Sequence, residues 1–91
     1  MIISLEEAKR FMKVDFEDED DEIQDCIDDA EAYLENATGK KFDSSNRLAR
    51  RYCKVLANDW YNDRSLREDK KISGKIKFTL QSIMTQLKYG D

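Results

Sequence analysis

The chain has 91 residues, 40% apolar and 40% charged, with 16 Lys and Arg against 20 Asp and Glu and a formal net charge of −4. That length suits one small domain with a modest core. No apolar run approaches the roughly 18 residues of a membrane span, and "MIISLEEAKR" lacks the basic start and long apolar stretch of a secretory leader, so synthesis in the cytosol is expected.

With no proline, three glycines and many good helix formers, the composition points to an all-α fold. We expect one domain over residues 1–91, a small bundle of about four helices with a short first helix and long second and third helices. Ser4-Leu5-Glu6-Glu7 has the form of a capping box, in which the Ser4 hydroxyl and the Glu7 carboxylate satisfy each other's backbone N–H groups. Leu5, Ala8 and Met12 then line one helical face with Phe11 beside them, and the pattern stops near Val14. From Ile23, the positions Cys26, Ile27, Ala30, Leu34 and Ala37, with Tyr33 adjacent, keep helical spacing until Gly39. Asp43, Ser44, Ser45 and Asn46 are all suited to cap a third helix read from Leu48, Ala49, Tyr52, Cys53, Leu56 and Trp60, ending near Asp63. Trp60 should be buried and Tyr61 partly exposed. "RSLREDKKISG" has mixed charge and little periodicity, which predicts a mobile loop over 64–73. The last helix uses Ile76, Leu80, Ile83, Met84 and Leu87 and stops at Gly90, although "KIKF" alternates like a strand and leaves the first residues open to an extended form. Cys26 and Cys53 lack CxxC spacing and sit on inner stripes, so both are expected to be reduced and buried.

Six acids in a row, Glu17 through Glu22, precede the second helix. A calcium loop of EF-hand type beginning at Asp15 or Asp18 would need a central glycine that neither start supplies. A disordered tail fits poorly, because the acids run straight into the Ile23 stripe. Carboxylates at the approach and first turn of a helix meet its unpaired N–H groups and the positive end of its dipole, which is the reading preferred over weak cation binding or an acidic docking patch.

The chain contains no histidine, no Gly-rich phosphate loop and no recognisable nucleophile–base pair, and twenty acids make neighbouring carboxylates inevitable. No enzymatic activity, metal or cofactor is expected. Charge is distributed unevenly: residues 1–45 hold 15 acids and 5 bases, whereas residues 46–91 hold 5 acids and 11 bases, giving about −10 and +6. The two halves can complement each other within one monomer, form solvated faces, or meet between subunits in head-to-tail contacts that close into rings or extend into filaments. "RLARRYCK" places Arg47, Arg50, Arg51 and Lys54 on one broad helix face near Tyr52, which admits a nucleic-acid-binding regulator. The net charge and the acidic first half oppose that reading.

Taken together, "DDEIQDCIDDAEAYLENATGKKF", "LANDWYNDRS" and "FTLQSIMTQLKYGD" resemble the tailed-phage head-tail connector family, small helical proteins of head completion and DNA packaging. Order and spacing carry the resemblance over almost the whole chain, with Ser44, Ser45 and Asn46 standing where relatives commonly place a proline. The resemblance implies a non-catalytic subunit of a ring at the virion head–tail junction, made in the bacterial host cytoplasm. Such a ring docks on the portal protein, extends the DNA channel and receives a downstream connector or tail-completion protein. Implied partners are further copies of the chain, those two proteins and genomic DNA passing without sequence-specific recognition, with no membrane. Joined to the charge split, this gives candidate ring contacts: Asp25, Asp28, Glu31 and Glu35 on the second helix against Arg50, Arg51, Lys54 and Arg64. The alternatives are the nucleic-acid regulator and a helical adaptor outside phage assembly.

Overall fold

Five helices follow one another: α1 Leu5–Met12, α2 Asp20–Thr38, α3 Arg47–Asn62, α4 Arg64–Asp69 and α5 Gly74–Tyr89. They belong to a computed structural model that describes residues 1–90, and among these residues there is no strand. The all-α bundle expected from composition is therefore present, with one more helix than the periodicity revealed.

Local chemistry explains each boundary. Ser4 Oγ accepts the Glu7 N–H at 3.1 Å, but the Glu7 carboxylate turns to Arg50 and Lys54, so only half of the capping box forms. α1 ends with Lys13 in the left-handed region at φ 61°, where Val14 N–H reaches Lys9 O at 2.9 Å and Lys13 N–H reaches Arg10 O at 3.3 Å, a Schellman turn. α2 starts inside the acidic run, with Asp20, Asp21 and Glu22 in its first turn and no side-chain cap from Glu19, so charge rather than a capping bond meets the dipole there. Gly39 closes α2 at φ 72°, where a side chain would be strained. Of the four candidate caps for α3, Asn46 is the one used, its Oδ1 accepting the Ala49 N–H at 3.0 Å. "KIKF" is helical rather than extended: Ile76, Leu80, Ile83 and Leu87 share the inward face of α5, and this longer period outweighs a four-residue alternation.

The core lies chiefly between α2 and α3, with α1 and α5 packed against that pair. α2 contributes Ile23, Cys26, Ile27, Ala30 and Leu34, α3 contributes Ala49, Tyr52, Cys53, Leu56, Ala57 and Trp60, and α5 contributes Leu80, Ile83 and Leu87. Tyr61 is half-buried beside Trp60, as expected. Two assignments change. Ala37 is exposed and Thr38 takes the last inward place on α2, its hydroxyl donating to Leu34 O at 2.9 Å. Ile2 and Ile3, which precede any periodic segment, are each 1% exposed and belong to the core.

The predicted loop over 64–73 is corrected by α4 and by the connection that follows it. Asp63 Oδ1 accepts the Ser65 N–H at 3.1 Å and caps the helix, and Lys70, at φ 55°, closes it in a second Schellman turn. Leu66 and Ile72 pack against the core. Side chains of α3 hold the backbone beyond: Trp60 Nε1 donates to Lys71 O at 2.7 Å, and Asp59 Oδ2 accepts the Ser73 N–H at 3.1 Å. Tertiary contacts thus supply what a six-residue helix cannot obtain from its own stripe.

Both cysteines are free and buried. Burial pushes the Cys26 thiol up to about 11, and it pushes the Cys53 thiol up as well. Neither should react with a bulky disulfide reagent in the native protein at pH 8 until denaturant is added. Rapid labelling of both thiols without denaturant would contradict this placement.

Candidate functional site

Charged side chains dominate the surface, and their pairing decides what remains for a partner. Among the described residues, every ion pair except Lys9–Asp20 joins an acid of the first 45 residues to a base of the remainder. Glu7 meets Arg50 at 2.6 Å and Lys54 at 3.4 Å, tying α1 to α3. Glu22 meets Arg64 at 3.1 Å and Arg67 at 3.3 Å, while Asp29 meets Arg67 at 2.7 Å and Lys70 at 3.7 Å, tying α2 to α4. Burial pushes the Glu7 carboxyl up, but the hydrogen bonds and charges of Arg50 and Lys54 outweigh it and hold the group below the ordinary glutamate range. Part of the charge split therefore acts inside the monomer.

The candidate contact residues divide accordingly. Glu31 Oε2 accepts the Ile2 and Ile3 N–H groups at 2.8 and 3.2 Å and fastens the N-terminal segment. Glu35 Oε2 accepts the Phe42 N–H at 3.4 Å and braces the α2–α3 connection. Arg50, Lys54 and Arg64 hold the internal ion pairs just described. Asp28 is exposed and accepts from Gln24 Nε2 at 2.9 Å, and Asp25 is exposed with Arg67 only at 3.9 Å. Arg51 is exposed and makes no ion pair among the described residues. None of the four candidate acids pairs with any of the four candidate bases in the same subunit.

α2 and α3 each carry an exposed surface, of opposite sign. Asp21, Asp25 and Asp28 recur at i, i+4 and i+7 on the side of α2 opposite its buried stripe, and all three are exposed. Arg47 and Arg51, one turn apart on α3, are exposed on the side of α3 opposite its own stripe. They border a groove of about 640 Å³ between α1 and α3, with half-buried Leu48 and Val55 at its base and Phe11 on its wall. Lys54 Nζ lies 5.9 Å from the Phe11 ring centre.

Sequence reading missed Arg67, assigned to a loop, and the place of Phe11 in the groove. Arg67 carried little local warning, since its partners lie 38 and 45 residues away. The described residues hold no group of three or more His, Cys, Asp or Glu side chains placed to bind a metal, and no helix among them is long and apolar enough to cross a membrane. The arrangement suits contact through charge and shape.

A family model described as Phage gp6-like head-tail connector protein matches residues 2–88, a span that includes α1 to α4 and all but the last residue of α5. No curated protein and no solved structure matches the chain. A match over nearly the full length, on an all-helical bundle, settles the assignment made from the order of its helical segments: the chain belongs to the Phage gp6-like head-tail connector protein family, whose role is structural.

Proposed function

We propose that the chain is one subunit of a ring that docks on the portal, extends the DNA channel and receives the next connector or tail protein. Family membership supports the connector role, and the observation that carries the ring is the pair of exposed, opposite surfaces on α2 and α3. A subunit with complementary patches on different helices can repeat one contact around a closed circle. In this reading Asp25, Asp28 and Arg51 face neighbouring subunits, while Glu31, Glu35, Arg50 and Lys54 keep the contacting helices in place. Arg64, with 69% of its side chain exposed, serves both.

Portal rings from the same virus should retain the purified chain, and electron microscopy of the complex should show an added ring coaxial with the portal. No retention, or scattered single copies, would remove this reading. Arg47 and Arg51 also give the nucleic-acid reading a surface. That alternative requires sequence-independent duplex binding that falls steeply with salt while portal retention is absent.

A further inference from the structure

The connection between α1 and α2 carries an aromatic ring in a run of carboxylates. Phe16 is 46% exposed, with Asp15 before it and Glu17 and Asp18 after it, all exposed. Phe11, on the wall of the α1–α3 groove, is 44% exposed. Neither ring belongs to the core or to the apolar side chains packed on it. Both rings thus lie outside the core, Phe16 among acids and Phe11 among bases, with Lys54 Nζ 5.9 Å from the Phe11 ring centre.

We propose that the α1–α2 connection of one subunit docks into the α1–α3 groove of a second copy, with Phe16 against Phe11, Leu48 and Val55 and its flanking carboxylates facing Arg47 and Arg51. Charge complementarity selects this occupant. A nucleic-acid backbone would satisfy the arginines but leave the apolar base of the groove uncovered, whereas the Phe16 segment offers both a ring and acids. Asp21 continues the acidic surface into the first turn of α2. The contact is directional, because loop and groove are different patches, and every subunit offers both. Its small size implies weak pairwise association, reinforced where many subunits engage at once. Only closure of the repeated contact into a ring rests on the connector reading.

A complementary pair of variants tests this. The first reverses the loop, Asp15→Lys with Asp18→Lys, and the second reverses the groove, Arg47→Glu with Arg51→Glu. Alone, each sets like charges against each other and should weaken self-association at low salt by roughly tenfold or more in sedimentation velocity. Mixed, the basic loop meets the acidic groove and the wild-type acidic loop meets the wild-type basic groove, so association should return. Phe16→Ser should also weaken association with unchanged helicity by circular dichroism. A wild type that stays monomeric, a mixture no better than its components, or an unaffected Phe16→Ser variant would overturn the proposal. Duplex DNA binding lost in the groove variant, without self-association of the wild type, would assign the groove to nucleic acid instead. Portal retention of the wild type, measured separately, reports on the connector reading whatever the mixture does.

Discussion

Trp60→Ala is expected to lower the melting temperature by roughly 15–30 °C, the largest single-residue effect in this protein. The side chain is 1% exposed, and its ring meets Tyr33 edge-to-face at 5.7 Å and 89°. Lys70 Nζ stands 5.3 Å from the ring centre, and the indole N–H donates to Lys71 O at 2.7 Å. Truncation of a buried tryptophan costs about 3–5 kcal/mol, from lost transfer free energy and from the cavity left behind. A domain of this size has a total stability of about 5–14 kcal/mol, and each kcal/mol moves its melting point by about 4–8 °C. Trp60→Phe should cost less than Trp60→Ala, because it keeps an aromatic ring in the core and loses the donor to Lys71 O, about 1–2 kcal/mol, together with the smaller volume difference between indole and phenyl. Thermal denaturation followed by circular dichroism measures both. A Trp60→Ala protein melting within a few degrees of wild type would show that Trp60 does not join α3 to the segment after α4.

The long helices were legible because their information is local. Ile23, Cys26, Ile27, Ala30 and Leu34 state the inner face of α2 by spacing alone, and all five are buried. α4 was not legible for the converse reason: it has six residues, and its partners sit on α2 and α3, far away in sequence. Ile2 and Ile3 form no periodic pattern, although a trace of their burial existed. Ile3 and Ala8 occupy the two positions of a hydrophobic staple around the Ser4 cap, and both are buried.

For the candidate site, the kinds of residue were readable and their engagement was not. On α2, Glu22, Asp29 and Glu31 flank the apolar stripe, within reach of neighbouring elements, and each has a partner within the chain. Asp21, Asp25 and Asp28 lie opposite the stripe and stay exposed. On α3 the same geometry places Arg50 near Glu7 and turns Arg47 and Arg51 outward. Net charge by halves counts these acids and bases alike, so it could not separate charges that build the monomer from those that face a partner. The acidic run shows both uses within six residues: Asp20 pairs with Lys9 at 2.7 Å and Glu22 with Arg64 and Arg67, while Glu17, Asp18 and Asp21 remain exposed.

Arg67→Ala should release α4 while leaving α2 and α3 folded. The Arg67 side chain is 20% exposed and donates through Nε to Asp29 at 2.7 Å and through Nη1 to Glu22 at 3.3 Å, an arrangement that uses separate nitrogens of one planar fork. The hydrogen bond to Asp29, set against the cost of burial, raises the hold of Arg67 on its proton, consistent with a cation fixed among carboxylates. Its loss leaves Asp29 with only Lys70 at 3.7 Å and Glu22 with only the exposed Arg64 at 3.1 Å. Because both acids are partly solvated, the cost is about 1–2 kcal/mol rather than that of a buried pair. Melting should fall by roughly 5–15 °C. The sharper measure is local: amide exchange at Leu66 to Lys71 should accelerate far more than at Leu34 or Leu56, since few other contacts hold the short helix. Arg67→Lys should recover only part of the protection, because one ammonium cannot reproduce the two-nitrogen bridge. If α4 amides in Arg67→Ala exchanged as slowly as in wild type, then Leu66, Ile72 and the Trp60–Lys71 bond would suffice to hold the segment, and the arginine would be a surface charge of little consequence.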